Sequence, residues 1–296
     1  MKHADALLAK WQASSAWLPS GRLHLQQGPI DLVIRAEGSE TETQAAYRQA
    51  AESFDEILPG LIRDLKRLRA PLTSKENSAW SSPTAERMHR ACRPHAALWI
   101  TPMAAVAGAV ADTILAAMRE GRRLERAYVN NGGDIAFHIG EGRSFKVGLV
   151  TSLQSPGVGG RTEIPHESPV RGVATSGFDG RSLSRGIADA VTVLARDAAT
   201  ADAAATMIAN AVDADHPAIL RRPAEELQAD SDLGRSPVTV AVGKLPAKVI
   251  EAALNSGAAT AEGMLRGNLI EGANLALRNR RVTLQNAKGK VVTRWN

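Results

Sequence analysis

The order of strand-like and helix-like segments is the feature that most constrains how this chain can fold. Short runs of alternating apolar and polar residues, typical of strands, occur at 22–26, 30–35, 145–150, 172–175, 190–195 and 238–242. Longer stretches with helical spacing occur at 42–54, 56–68, 102–118, 198–212, 246–255 and 261–276. Because the two kinds of segment do not alternate strictly, the order argues against a doubly wound sheet. It predicts an α+β fold in which mixed β-sheets pack against helices in layers.

The predicted helix at 102–118 has the clearest boundaries. Thr101 can cap its start, Pro102 suits the first helical position, and Gly121 can end it. The stretches 152–160 and 217–233 are rich in loop-forming residues, so we predict loops there.

Neither of these loops has the character of a domain linker. The 296 residues are therefore expected to form a single domain, 1–296, with core motifs at about 101–211. The segments 1–100 and 212–296 are expected to pack against that core.

The charge pattern points to a small-molecule partner. The net charge is +5, but the basic residues are scattered, and the densest run, 63–69, has the spacing of a solvated helix face. Aromatic residues make up only 4% of the chain, which leaves few platforms for stacking bases. We therefore expect a small-molecule or nucleotide ligand and no nucleic acid.

Cysteine usage and hydropathy indicate a cytoplasmic location. Cys92 is the only cysteine, so an intramolecular disulfide is excluded, and a packed apolar role is expected for it. The first residues carry no long apolar run, and the Ala-rich run 103–111 stops at Asp112, too short to span a bilayer. We expect no signal peptide and no membrane association.

A turn signal comprises Asn130, Asn131, Gly132, Gly133 and Asp134. Paired glycines allow positive φ and close approach of a ligand to the backbone, and N–H groups in such a turn can cradle an anion. An Asn-Gly pair is equally a hairpin signal. The residues alone leave both interpretations open.

A second polar segment, Thr175, Ser176 and Gly177, ends a predicted strand. It would place two hydroxyls and open backbone amides at the end of the strand, and Arg181 and Arg185 follow as donors suited to phosphate. A polar loop capped by serine is the alternative.

Asp202 and Thr206 are four residues apart in a predicted helix and therefore share one face. A carboxylate and a hydroxyl are hard oxygen ligands that suit Mg²⁺. The alternative is structural: Asp202 would serve the helix dipole in the first turn, and Thr206 would bond back to its own helix.

Two further features stay open. Gly108 and the small residues around it allow close helix packing, while Asp112 could orient a ligand or face solvent. An acidic set with one histidine has no firm ligand spacing, which leaves its role undecided: Asp213, Asp215, His216, Asp230 and Asp232.

Together and in this order, the motifs at 108–112, 130–134, 175–177 and 201–206 resemble the ApbE-like superfamily. Its best-known members are Mg²⁺-dependent FAD:protein FMN transferases. Over nearly the whole chain the sequence is most similar to an uncharacterised branch of that superfamily, notably at 100–108, 130–135, 186–193, 201–210 and 230–234.

The resemblance implies an ApbE-like layered fold and one cleft that holds a phosphorylated or nucleotide ligand, with Mg²⁺ and FAD or FMN as cofactors. Asp202 and Thr206 would hold the metal, with a backbone carbonyl near Ala104, and Asp202 and Arg181 would be catalytic. The residues that would bind the cofactor are Asn130, Asn131, Gly132, Gly133, Asp134, Thr175, Ser176 and Gly177.

The chain departs from the transferase pattern at two places. Ala107 stands where transferases carry a lysine, and 178–189 lacks their His-x-x-Asp-Pro-x-Thr-Gly segment. Three functions stay open: phosphoryl or nucleotidyl (FMN) transfer, an enzyme of another class that reuses the cleft for a small metabolite, and a non-catalytic ligand-binding protein. A homo-oligomer is compatible with each of them.

Overall fold

The structure, a computed structural model, describes residues 11–73, 79–150, 158–286 and 292–295. By its internal contacts the chain forms two compact units. The first comprises Met1–Phe145 and Asp197–Thr200, and the second comprises Lys146–Arg196 and Ala201–Asn296. Antiparallel strands and helices occur in both, so the predicted α+β class is confirmed. The assignment of a single domain stays a prediction.

The described residues of the first unit include five antiparallel strands that pair in chain order. They are β1 (Ser14–Leu18), β2 (Arg22–Gln27), β3 (Ile30–Gly38), β4 (Leu124–Asn131) and β5 (Asp134–Ile139). Leu23 and Leu25 on β2, and Leu32 and Ile34 on β3, alternate with more exposed residues and are buried. This period of two is the pattern of a strand with one face on a core.

Four helices lie in the described part of the first unit. They are α1 (Glu40–Asp55), α2 (Ile57–Leu68), α3 (Pro83–Cys92) and α4 (Val106–Arg119). Short 3₁₀ turns at Arg93–His95 and Pro102–Ala105 precede α4. Cys92 is fully buried, as its predicted packing role requires.

Helix α4 is the central element of the first unit because nearly all of its faces are covered. It packs against α1, α3, β4 and β5. Pro102 starts the preceding 3₁₀ turn as predicted, and Gly121 follows the helix with φ of +65°. Within the described ranges, Pro102–Arg119 is the one helical stretch with the length and composition of a membrane span. Since 56% of it is buried inside the protein, a core helix also explains it.

The second unit contains the remaining elements. Its described strands are β6 (Ser144–Val150), whose first two residues group with the first unit, β7 (Val158–Pro165), β8 (Gly172–Ser176), β9 (Ala190–Ala195), β10 (Ile219–Pro223), β11 (Pro237–Val242), β12 (Gly272–Leu277), β13 (Arg280–Gln285) and β14 (Val292–Trp295). Its helices are α5 (Ala198–Ala211), whose first turn groups with the first unit, α6 (Ala224–Leu227) and α7 (Ala247–Arg266). Strands β8, β9, β12 and β13 form antiparallel pairs in that order.

Helix α7 covers one face of this sheet. It packs on β12 and β13, and a Cβ on its Gly257 would lie 2.9 Å from Leu275 Cδ2 and 2.3 Å from Val212 Cγ2. The absence of a side chain at Gly257 thus lets the helix approach the sheet closely.

Several predicted elements need correction. The helix predicted at 261–276 is wrong beyond Arg266, since Gly272–Leu277 is a strand. All six of its residues are buried, so it has no alternation that could separate a strand from a helix. The helix predicted at 246–255 is the first part of the single long helix α7, which begins at Ala247.

The two predicted loops also differ from the structure. The stretch 217–233 contains β10 and α6 and is therefore not simply a loop. Most of 152–160 lies outside the described residues, and its last three residues begin β7.

A close backbone contact joins α4 to the start of α5 within the first unit. A Cβ at Gly108 would lie 2.2 Å from the Ala198 carbonyl oxygen and 2.7 Å from the Ala199 nitrogen. Both atoms are backbone atoms at a helix start and cannot rotate away. Only glycine at position 108 allows this approach.

We expect Gly108→Ala to lower the free energy of unfolding by about 3 kcal/mol because the added methyl group overlaps the Ala198 backbone. Gly263→Ala is the matched control, since Gly263 is also helical and a Cβ added there would have nothing within 4 Å. That change should stabilise by about 0.5–1 kcal/mol. Urea denaturation of the two variants measures both values, and equal effects would contradict the close contact.

Candidate functional site

Asp112 is a buried carboxylate that caps the start of α5. Its side chain is on α4, one turn after Gly108, so the two residues lie on the same helix face. Asp112 Oδ1 accepts a hydrogen bond from the Ala198 N–H at 3.0 Å, and Oδ2 accepts one from the Ala199 N–H at 2.8 Å. Of the two roles left open for Asp112, solvent exposure is wrong, because the residue is only 9% exposed.

A second carboxylate completes this helix start. Asp197 Oδ1 accepts a hydrogen bond from the Thr200 N–H at 2.7 Å, which is the usual N-cap contact. The first three N–H groups of α5 are therefore bonded to carboxylates of the protein itself. A ligand phosphate cannot use these donors without displacing Asp112 or Asp197.

Burial raises the pKa of the Asp112 carboxyl to about 7, and the nearby charge of Asp197 adds to the rise. The hydrogen bonds from Ala199 and Ala198, and the charge of Arg87, act in the opposite direction. Desolvation outweighs them because the carboxylate lies in the packed interior.

The glycine pair of the turn signal forms a two-residue β-hairpin between β4 and β5. Asn131 pairs with Asp134, and Gly132 and Gly133 have φ of +65° and +115°. Asn130 Oδ1 accepts a hydrogen bond from the Gly133 N–H at 2.8 Å, so this side chain shapes the turn. The hairpin interpretation accounts for the glycines, which are both exposed.

Asn131 ties this hairpin to α4. Its Nδ2 donates to the carbonyl oxygen of Ala107 at 3.1 Å, and the residue is buried. Ala107 stands where transferases carry a lysine. It therefore presents a methyl group there, and its carbonyl oxygen is already hydrogen-bonded to Asn131.

In the second unit, α5 exposes a single polar stripe. From Ala201 to Asn210 every residue is buried except Asp202, Thr206 and Asn210, which are spaced by four. We call these three residues the α5 stripe. Sequence reasoning found its first two members and missed Asn210, although the same spacing signals it.

The structural alternative for Asp202, that it lies in the first helical turn and serves the helix dipole, is wrong. Helix α5 starts at Ala198 and has no acidic residue in its first turn, so Asp202 is its fifth residue. The helix dipole is already served by other carboxylates. The dipole therefore does not account for a carboxylate at position 202.

The loop after β8 contacts the far end of the α5 stripe. Asn210 Oδ1 accepts hydrogen bonds from the Arg185 N–H at 3.0 Å and from Ser184 Oγ at 3.5 Å. A Cβ at Gly186 would lie 2.0 Å from the Ala209 carbonyl oxygen, so glycine is needed for this contact. Arg181 is exposed in the same loop.

Strand alternation separates the two hydroxyls that end β8. Thr175 pairs with Thr192 on β9, and their Oγ1 atoms are 2.9 Å apart. Ser176 is the next residue and points to the opposite face of the sheet. Gly177 packs on backbone, since its Cβ would lie 2.6 Å from the Asp189 carbonyl oxygen.

Two members of the acidic set with one histidine, Asp213 and His216, have structural contacts. Asp213 pairs with Arg221, and burial raises the pKa of the Asp213 carboxyl. Nδ1 of His216 accepts a hydrogen bond from the Ala218 N–H at 3.1 Å. Across the described part of the chain, no group of three or more His, Cys, Asp or Glu side chains could hold a metal ion.

The predicted site residues thus lie in both units. The Asn130–Asp134 turn belongs to the first unit, and the Thr175–Gly177 segment, Arg181, Asp202 and Thr206 belong to the second. Their convergence in one cleft stays a prediction.

We expect the stability that Asp112 contributes to fall as the pH rises from about 4 to about 7. The unfolded chain releases this proton near pH 4, whereas the folded chain keeps it up to about pH 7. Folding is thus favoured at low pH, and this advantage is lost as the pH passes through the folded pKa. Urea midpoints between pH 4.5 and 8 should show wild type losing stability relative to Asp112→Asn.

Asp55→Asn is the control for this measurement, because Asp55 is exposed at the end of α1. If wild type instead gained stability relative to Asp112→Asn as the pH rose over the same window, the raised pKa would be contradicted. The two backbone hydrogen bonds would then outweigh desolvation in setting the pKa of Asp112.

Comparison with known proteins identifies the relatives of the chain. A family model described as AbpE bacteria matches residues 15–289. A UPF0280 protein of Methanopyrus kandleri is 34% identical over 192 residues, which cover 63% of this chain and 72% of that protein. A UPF0280 protein of Methanothrix thermoacetophila is 42% identical over 127 residues, which cover 43% of this chain and 52% of that protein.

Solved structures that align with the chain include two flavin transferases. The apo form of the Pseudomonas stutzeri flavinyl transferase ApbE has a TM-score of 0.45 at 13% identity, covering 94% of each chain. The flavin transferase ApbE from Vibrio cholerae has a TM-score of 0.43 at 13% identity, covering 94% of this chain and 98% of that one.

The family model spans most of the chain, and the Methanopyrus kandleri protein is covered over more than two thirds of its length. The predicted relationship is thereby confirmed. The chain belongs to the family described as AbpE bacteria and is a relative of the UPF0280 proteins.

Proposed function

We propose that the protein binds a phosphorylated nucleotide together with Mg²⁺ at the α5 stripe, and that it transfers a phosphoryl or nucleotidyl group. The observation that carries the proposal is the stripe itself, in which Asp202, Thr206 and Asn210 interrupt an otherwise buried helix face. The motif resemblance to FAD:protein FMN transferases makes FAD or FMN the first candidate ligand.

The donor chemistry of the stripe fits Mg²⁺. Asp202 supplies a carboxylate and Thr206, one helical turn later, supplies a hydroxyl. Mg²⁺ is commonly held by only one or two protein oxygens and takes its other ligands from water and substrate phosphate. Mg²⁺ bound there would neutralise phosphate charge.

The segment after β8 would supply the remaining polar contacts to the ligand. Gly177 follows the last residue of the strand, and the loop carries Arg181, whose exposed guanidinium suits phosphate oxygens. The Arg185 N–H donates a hydrogen bond to Asn210 Oδ1, and this bond holds the loop against the α5 stripe. In this arrangement Arg181 would stabilise charge on the transferring group, as expected of a catalytic cation.

A second candidate function is ligand binding without catalysis. Ala107 puts no cation where transferases carry a lysine, and its carbonyl oxygen is bonded to Asn131. Nucleotidyl transfer would lose the charge stabilisation that a lysine gives. This candidate predicts tight nucleotide binding with no turnover.

The proposal includes expectations about location and partners. We expect the protein to act in the cytoplasm on a small molecule, with no nucleic acid or membrane as partner. If an enzyme of another class reused the cleft for a different metabolite, its chemistry would have to involve residues other than Asp213 and His216. The Asp213 and His216 side chains are already committed to structural contacts.

Thermal unfolding with FAD, FMN, ATP and ADP, each with and without Mg²⁺, tests the proposal. A ligand at one hundred times its Kd stabilises the folded state by about 2.7 kcal/mol, which corresponds to a rise in Tm of roughly 5 to 10 °C. We expect such a rise for FAD or FMN, and we expect most of it to require Mg²⁺.

Asp202→Asn keeps the shape of the side chain and removes its charge, so the Mg²⁺-dependent part of the rise should disappear. Thr206→Val should reduce it, and the exposed control Asp55→Asn should leave it unchanged. A Mg²⁺-dependent rise that survives in Asp202→Asn would remove the α5 stripe from the metal site. Turnover of FAD in the same samples separates the transferase from the binding protein.

A further inference from the structure

A loop of the second unit carries Arg181 and is closed at its base. It comprises residues 178–188, and we call it the Arg181 loop. The Phe178 N–H donates to the Ala188 carbonyl oxygen at 3.0 Å, so the two ends of the loop meet. Asp189 follows directly and lies at this closed base.

A second support holds the middle of the Arg181 loop. The Thr239 N–H on β11 donates to the Ser184 carbonyl oxygen at 2.8 Å, and Thr239 Oγ1 donates to the Arg185 carbonyl oxygen at 3.4 Å. Arg181 lies between the base of the loop and this support. Its position therefore depends on how the base and β11 are held relative to each other.

The carboxylate at the base of the loop depends on Arg278. Asp189 is only 9% exposed, and it accepts a hydrogen bond from the backbone N–H of Arg278. Its Oδ1 also lies 3.8 Å from Nη1 of the same arginine. Burial raises the pKa of the Asp189 carboxyl, whereas the hydrogen bond from Arg278 and the charge of its guanidinium lower it. Arg278 thereby stabilises the ionised form of a carboxylate that is largely removed from water.

The same arginine side chain bonds to the end of β11. Arg278 Nη2 donates to the Gly243 carbonyl oxygen at 3.1 Å and also to the Val242 carbonyl oxygen. Val242 is the last residue of β11, the strand that holds Ser184. Arg278 therefore joins the base of the Arg181 loop to the strand that supports its middle.

The backbone at position 278 favours glycine over arginine. Leu277 pairs with Arg280, so Arg278 and Asn279 form the two-residue turn between β12 and β13. The φ angle of Arg278 is +57°, in the left-handed region that residues with a Cβ adopt only at an energetic cost. Because glycine would form this turn more easily, the turn does not account for an arginine, whereas the contacts of its side chain do.

We infer that Arg278 is a positioning residue, which clamps the base of the Arg181 loop to β11 and thereby fixes where the Arg181 guanidinium lies. The inference rests on the proposed function, in which Arg181 contacts the phosphate of a nucleotide. A loop that is already held loses less conformational entropy when a ligand binds. Without the clamp, the ligand itself would have to order Arg181, and its affinity would fall.

Trypsin cleavage of the ligand-free protein tests the clamp directly. Arg278→Gly suits the backbone of the turn and removes the guanidinium, so we expect cleavage after Arg181 to accelerate about tenfold. Cleavage after Arg266, which is exposed at the end of α7 in the same unit, reports wider unfolding and should stay unchanged. Arg278→Lys keeps the charge and should cleave after Arg181 within about threefold of wild type.

Asn268→Gly is the matched control for the change of backbone. Asn268 has φ of +54° and is exposed just beyond the end of α7, so glycine suits its backbone equally well. This variant should leave cleavage after Arg181 at the wild-type rate. Unchanged cleavage after Arg181 in Arg278→Gly, equal acceleration after Arg181 and Arg266, or faster cleavage after Arg181 in the control would each overturn the clamp.

Binding of FAD with Mg²⁺, followed by flavin fluorescence, tests whether the clamp acts through Arg181. We expect Arg278→Gly to weaken binding about tenfold, and Arg278→Lys to weaken it about threefold at most. In an Arg181→Gln background, the loss caused by Arg278→Gly should shrink to about twofold, because the side chain that it positions is gone. A full loss in that background, or wild-type affinity in Arg278→Gly, would overturn the positioning role while leaving the proposed function standing.

The two measurements also separate failure of the inference from failure of the proposed function. If wild type binds none of FAD, FMN, ATP and ADP, the proposed function fails, and the cleavage rates alone decide on the clamp. Faster cleavage after Arg181 in Arg278→Gly would then support the clamp, and an unchanged rate would overturn it.

Discussion

The bidentate contact between Asp112 and the start of α5 is the interaction on which the candidate site depends. A carboxylate that accepts from Ala198 and Ala199 fixes the residue at which the helix begins. Residues four apart share a helix face whatever the starting residue, but this fixed start holds the first turn in helical form, from which the helix continues to the α5 stripe. Gly108 makes the contact possible because any side chain there would overlap the Ala198 backbone.

The same contact decides where negative charge can be bound. A helix start normally attracts anions through its free N–H groups and its dipole. Here the carboxylates of Asp112 and Asp197 occupy those groups, and burial raises the pKa of Asp112 to about 7. Recognition of a phosphorylated ligand would therefore rely on a metal ion and arginine side chains. This is consistent with a stripe that offers one carboxylate and one hydroxyl.

Local patterns predicted those parts of the fold whose causes are local. Strand β9 was predicted with its observed ends, and the glycine pair correctly marked a tight turn whose neighbouring strands are β4 and β5. Strand β12 was mistaken for helix because burial on both faces removes the alternation that identifies strands.

The site was predictable to the same limited extent. The spacing of Asp202 and Thr206 placed them on one face, whereas the role of Asp112 depends on a partner 86 residues away. The pairing of Thr175 with Thr192 requires the register of two strands, which periodicity within either strand cannot supply.

Hydrogen exchange at the start of α5 tests the central claim most directly. The amides of Ala198, Ala199 and Thr200 belong to a first helical turn, where N–H groups without a partner exchange rapidly. Because carboxylates accept from all three, we predict that they exchange as slowly as amides in the middle of α5. Rapid exchange of the Ala198 and Ala199 amides at neutral pH would contradict the account.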